Sequence, residues 1–221
     1  MSGRLVHTGQ VILDLVLRVP ALPEPGGDVL ATSTDLLPGG GFNVMSAAAR
    51  SGATVRYAGT HGPGEFGDRV RRALSDEGID VCRPPASDVD TGMCVAMVDG
   101  HGERTFVTST GAEGRLSLEH LDAIEVRDDD LVYVSGYSLL HESNRAALLA
   151  WLPRVRPARV LLDPGPLIGD VPPSAVNCVL SFADILSCNA TEARVLSDVD
   201  SCLSCSPPAS PCGPEHVTPT S

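Results

Sequence analysis

The sequence contains no lysine; all 16 of its basic residues are arginine. No ammonium group can therefore contact a phosphate here, and the bias reads as the codon usage of a GC-rich gene rather than as chemistry. Excess positive charge is missing too. A formal net charge of −12 argues against a nucleic-acid partner, whose phosphates need basic residues. It does not argue against a nucleotide, which backbone N–H groups and one or two cations can hold. No apolar run reaches the roughly 20 residues that span a bilayer. The start, Met1-Ser2-Gly3-Arg4-Leu5-Val6-His7, lacks the long apolar stretch of a signal peptide, so no membrane partner and a cytoplasmic address are expected. An even cysteine set is also absent. Seven cysteines without a secretion signal argue against a disulfide framework. Cys82, Cys94, Cys178 and Cys188 sit among apolar neighbours and read as small buried hydrophobes.

What is present is enough for a core: 221 residues at 43% hydrophobic content, the size of one ordinary domain. Residues 5–13 form a β-rich run that 14–19 continue in alternation, and residues 28–35 can pair back on it. An alanine-rich helix follows over 43–51, stopped by Gly52. Further strands are expected at 54–58, 131–135, 159–163 and 185–187. Helices are expected at 66–77, 142–152, 173–180 and from 191 onward. Strands alternating with helices imply βαβ units and a mainly parallel sheet covered on both faces. Two hairpins interrupt that rhythm, at about residues 14–36 and 92–108, and are expected to form a small separate sheet. After residue 197 the periodicity stops. Residues 198–221 are rich in Ser, Pro and Cys and read as a disordered tail. Cys202, Cys205, Cys212 and His216 in that tail could in principle bind zinc, although a lone C-x-x-C is weak evidence.

Two short segments carry chemistry. The first is Pro38-Gly39-Gly40-Gly41-Phe42-Asn43. Glycines permit close backbone approach, a helix N-terminus offers free N–H groups, and Asn43 both donates and accepts. The same residues also read as a plain turn with Asn43 as N-cap. The second is Ser187-Cys188-Asn189-Ala190-Thr191-Glu192. One carboxylate and one amide can orient the water shell of Mg²⁺; equally, Asn189 and Glu192 fit a capping-box pattern. Asp14, at the end of the first expected strand, can accept two hydroxyl bonds, and Asp163 is a candidate neighbour of Asn189 and Glu192.

Taken together, Gly40-Gly41-Phe42-Asn43, then Gly52 and Gly62, then Asn189-x-x-Glu192, resemble the signature segments of the PfkB/ribokinase family of carbohydrate kinases. Thr91-Gly92, Gly102-Glu103-Arg104-Thr105, Gly111-Ala112-Glu113, Val134-Ser135-Gly136 and Asp163-Pro164-Gly165 follow in the family's order, so the resemblance covers residues 5–196. Two positions depart from it. Met45 stands where a small residue is usual, and Gly64 stands at the acidic position of the usual Gly-x-Asp-x-x-Gly.

The resemblance implies a ribokinase-like three-layer α/β/α fold with a small β lid, its C-terminal part incomplete. It implies ATP-dependent phosphoryl transfer to a sugar or related alcohol. Asp14, Gly40, Gly41 and Asn43 would hold that acceptor. Asn189 and Glu192 would lie by the nucleotide, Glu192 acting indirectly on magnesium, and lid strands would be available to pair a homodimer. The family's Gly-Ala-Gly-Asp, which carries the catalytic base, does not occur in the 221 residues. The chain as written is thus expected to lack turnover, the alternative being a non-catalytic sugar-binding or interaction protein. A change of reading frame near residues 197–200 would account for the tail.

Overall fold

The computed structural model describes residues 3–155 and 159–203. They fall into two compact units, Met1–Leu116 and Ser117–Ser221.

The first unit opens with β1 (Leu5–His7), β2 (Val11–Arg18), β3 (Ser33–Gly40) and α1 (Gly41–Arg50). Then come β4 (Val55–Tyr57), α2 (Glu65–Asp76), β5 (Asp80–Val81), β6 (Met93–Val98) and β7 (Arg104–Ser109). Strands β1, β4 and β5 pair in parallel. Val6, Val55 and Tyr57 are buried among them, and Arg56 on β4 pairs with Asp80 on β5. Helix α1 packs on β1 and β4, and α2 on β5. Met45 is fully buried, so the larger side chain at that position fills core space under α1.

The second sheet of this unit is the small one, in the order β3-β2-β6-β7. Strand β2 runs antiparallel to β3 and parallel to β6, and β6 and β7 form a hairpin. Asp99 closes that hairpin by accepting from His101 N (2.8 Å) and Glu103 N (3.0 Å). One expectation changes here. Residues 5–19 are not one strand: the chain turns at Thr8-Gly9-Gln10, where Gly9 N donates to His7 Nδ1 (3.2 Å). Only β1 joins the parallel strands, and β2 enters the small sheet. Asp14 accordingly lies in the middle of β2, opposite Leu37 on β3 and Cys94 on β6, and not at the end of the first strand. The partner strand also starts later than residue 28 and runs to Gly40. Pro38 is tolerated within it because β3 is an edge strand, where a missing N–H breaks no ladder.

The second unit contains α3 (Leu118–Asp122), β8 (Leu131–Ser135), α4 (Gly136–Leu140) and α5 (Glu142–Trp151). They are followed by β9 (Arg159–Asp163), α6 (Pro173–Leu180), β10 (Ile185–Leu186) and α7 (Ala190–Leu203). Strands β8, β9 and β10 are parallel neighbours. Val132, Val134, Leu148, Trp151, Leu162 and Val176 are buried and form its core. Helices α3 and α4 escaped the sequence reading because each is only five residues long. Helix α7 continues past residue 197 to Leu203. The disorder expected for 204–221 and the zinc reading at Cys205, Cys212 and His216 lie outside the described residues.

The cysteines depart from the uniform picture. Cys94 is buried and free, Cys82 is half-buried, Cys188 is exposed, and Cys178 is disulfide-bonded. Cys188 loses its apolar cover because the loop after β10 is exposed throughout. Among the described residues no helix is long and apolar enough to cross a membrane.

Candidate functional sites

In the first unit the candidate residues converge where β3 runs into α1. Gly40 is the N-cap residue, with φ +62° and ψ −131°, a conformation that suits only glycine. Gly41 N donates to Gln10 O (2.8 Å). A side chain at Gly39 would run into the Asp14 carboxylate, and one at Gly41 into the His7 imidazole. Gly39 thus lets the Asp14 carboxylate lie against the end of β3, two residues before α1 begins.

Asn43 is the third residue of α1 and is exposed; it is not the cap, as the plain-turn reading requires. No side chain caps this helix, so first-turn N–H groups remain for a ligand. A carboxylate acceptor beside helix-end donors suits a molecule whose hydroxyls both donate and accept.

Two neighbours were not legible in the sequence. Burial pushes the Asp14 carboxyl up, and the Arg104 guanidinium opposes that rise. Arg104 shares the Asp14 face of the small sheet, since Asp14 pairs with Cys94 and Cys94 with Thr108, four residues from Arg104. Beneath Gly41, His7 is fully buried. Burial holds its imidazole down to about 3, only partly offset by a backbone hydrogen bond. His7 is therefore neutral and, because Nδ1 accepts from Gly9, carries its proton on Nε2.

The Gly62–Gly67 turn has an unexpected cap. Asp90 accepts from the backbone N–H of Gly64, Phe66 and Gly67, each at 3.0 Å, and from its neighbour Thr91 at 2.7 Å. Burial alone would raise its pKa, but these backbone donors together hold it below the usual carboxylate range. Glu113, also buried, accepts from Gly92 N and Gly111 N, both at 2.8 Å, and so ties together the two feet of the β6–β7 hairpin.

In the second unit the candidates gather at the carboxyl ends of β9 and β10, the edge of a parallel sheet where ligands bind. Asp163 ends β9, and Ser187 N donates to Leu162 O (2.9 Å), which brings the Asn189 loop beside it. Tyr133 Oη donates to Asp163 Oδ2 at 2.6 Å. Burial, and then this bond to a carboxylate, push the Tyr133 phenol far above its usual range.

Asn189 and Glu192 realise the capping box in full. Asn189 Oδ1 accepts from Thr191 N (2.9 Å) and Glu192 N (3.0 Å). In return Asn189 N and Nδ2 donate to Glu192 Oε2 (2.9 Å) and Oε1 (2.7 Å). Each Glu192 oxygen keeps a lone pair beyond its one bond. No group of three His, Cys, Asp or Glu among the described residues could hold a metal directly. The acceptors still open are the carboxylate oxygens of Asp163 and Glu192, which fit a hydrated Mg²⁺ met through its water shell.

Residues 2–206 match the model of the pfkB family carbohydrate kinases. The chain belongs to that family. Among similar proteins, the uncharacterized sugar kinase YegV of Escherichia coli K12 is 27% identical over 213 residues, covering 90% of this chain and 66% of its own length. The ribokinase of Haemophilus influenzae is 28% identical over 208 residues, covering 90% and 64%. The chain thus spans about two thirds of the length of these relatives.

Solved structures of similar fold include a ribokinase from Cryptococcus neoformans in complex with ADP, with a TM-score of 0.74 at 22% identity, covering 91% of this chain and 61% of that one. A fructokinase from Xylella fastidiosa with bound ATP gives a TM-score of 0.73 at 21% identity, covering 91% and 66%. These likenesses establish a ribokinase-like, mainly parallel α/β fold. Within the pfkB pattern the Gly64 departure gains a reason. A side chain there would collide with the Asp90 carboxylate, which comes from the segment leading into β6 and accepts from the Gly64 N–H.

Proposed function

We propose that this pfkB-family chain supplies the acceptor site and the magnesium-side residues of a cytoplasmic, ATP-dependent kinase acting on a sugar or related alcohol. The observation that carries this reading is the Asp14 carboxylate over Gly39, at the uncapped start of α1. Asp14 accepts from acceptor hydroxyls, and Asn43 and the first turn of α1 donate to them. Gly40 and Gly41 keep the approach free of side chains. Asp163, Asn189 and Glu192 orient the water around a bound Mg²⁺. That ion, when present, neutralises charge on the phosphates during transfer.

The names of the relatives, ribokinase and fructokinase, favour a pentose or hexose as acceptor. A second copy of the chain is the partner that suits the lid: β7 is an edge strand exposed along its whole length, with Phe106 56% and Val107 62% exposed, and exposed apolar edges invite pairing. Isothermal titration with a panel including ribose and fructose tests the acceptor site. Binding of one sugar, weakened at least tenfold by Asp14→Asn and by Asn43→Ala, is the expected result. Sugar binding indifferent to both substitutions, or none across the panel, overturns the reading.

A further inference from the structure

The Tyr133–Asp163 hydrogen bond joins two residues at different depths of the second unit. Tyr133 is 6% exposed, in the middle of β8. Asp163 is the last residue of β9. In the parallel register Tyr133 lies opposite Leu161 and Ser135 opposite Asp163. The phenol therefore reaches diagonally outward, along the sheet, to the strand end.

The backbone at that end is already fixed. Gly136, directly after β8, approaches the Pro164 backbone so closely that no side chain fits between them. Gly165, at φ +65°, packs against the Tyr137 ring. What remains free in Asp163 is its side-chain rotation, and the 2.6 Å bond from Tyr133 removes that. Only Oδ2 is used. The Asp163 side chain has no other hydrogen bond or ion pair among the described residues, so Oδ1 is left with its lone pairs open. A buried phenol needs some acceptor, but a backbone carbonyl or a hydroxyl would serve. A carboxylate held by one oxygen at a ligand-binding sheet edge does more: it presents the second oxygen in one orientation.

We propose that Tyr133 is a positioning residue that sets the Asp163 carboxylate for a hydrated divalent cation and its nucleotide. This inference rests on the magnesium-side reading given above for Asp163. Pre-setting the carboxylate removes its rotational freedom before the ligand arrives, so affinity is gained without a new contact.

The test is Mn²⁺ binding in the presence of ADP, followed by the electron paramagnetic resonance signal of free Mn²⁺, on the full 221-residue chain. Y133F should weaken the Mn²⁺–ADP complex about tenfold, and D163N by at least as much. The double substitution should be no worse than D163N alone, because Tyr133 acts only through Asp163. D163E, which keeps the charge but moves it by one methylene, should also lose about tenfold, and it carries the test if Y133F does not fold. Wild-type affinity in Y133F or in D163E, or additive losses in the double variant, overturns the positioning role while leaving the Asp163 site in place. Wild-type affinity in D163N, or no Mn²⁺–ADP complex with the unaltered chain, removes the site itself and the inference with it.

Discussion

His7→Asn should flatten the acid side of this protein's stability curve. His7 is fully buried and its pKa lies near 3 instead of 6.5. The unfolded chain takes up a proton at this position as pH falls below 6.5; the folded chain does not until much lower. The contribution of the neutral imidazole is thus fully present above the unfolded value and drains away as pH falls through it. Between pH 7.5 and 5.5 the loss is ~1.4 kcal/mol from His7 alone. His61, also fully buried, is held down to about 4, by burial first and then by Arg71 and Arg83. It loses a similar amount over the same interval, so the two together remove nearly ~3 kcal/mol from a total of about 5–15 kcal/mol for an ordinary domain.

Asparagine is the useful replacement because its Oδ1 can stand where His7 Nδ1 accepts the Gly9 N–H. Whatever packing it loses beneath Gly41 is a constant offset, whereas the proton linkage is a slope. The assay is urea unfolding by circular dichroism at pH 7.5 and 5.5. That range avoids the more acidic region in which the 28 carboxylic residues begin to lose charge. All other groups titrate alike in both proteins and cancel. The variant should lose ~1.4 kcal/mol less than the parent between the two pH values. An equal loss in both would mean that His7 is not the neutral buried group described, and the argument for its place beneath the glycine loop would fail with it.

Three further outcomes are expected. Gly41→Ala forces a methyl into the His7 ring and against Gln10 O; it should cost about 1–3 kcal/mol by overpacking, and a thermal melt equal to that of the parent would contradict the tight packing. Asp90→Ala strands the N–H groups of Gly64, Phe66 and Gly67 and should cost roughly 2–3 kcal/mol, read as a lower urea midpoint. A coupled ADP assay over a sugar panel should detect no turnover from these 221 residues, which contain no Gly-Ala-Gly-Asp; turnover above background that Asn43→Ala abolishes would contradict this.

How much of this was legible depended on whether the relevant signal was local. Strands β8 and β9 and helix α6 have the same bounds in the sequence reading and in the structure, because each is an apolar run closed by its own breakers. The order of the glycine and Asn-x-x-Glu segments gave the family, which the match over residues 2–206 bears out.

What was not legible came from contacts made at a distance. The end of the first strand could not be placed at His7, because the break at Gly9 depends on a hydrogen bond to His7 that no propensity encodes. Arg104 joined Asp14 only through two successive strand registers. Asn43 looked like a cap because asparagine caps well, yet the cap position went to Gly40, whose positive φ follows from the route of β3 into α1.

The Gly64 position shows how such a gap misleads. Read along the chain, a glycine where an acid is usual looks like a lost function. In three dimensions the Asp90 carboxylate accepts from Gly64, Phe66 and Gly67 and fills the space a side chain at position 64 would need. The aspartate in this position requires the glycine, since any side chain at position 64 would meet its carboxylate. A motif scored residue by residue counts a defect here, whereas the hydrogen-bond accounting counts a turn whose donors are satisfied from the segment leading into β6.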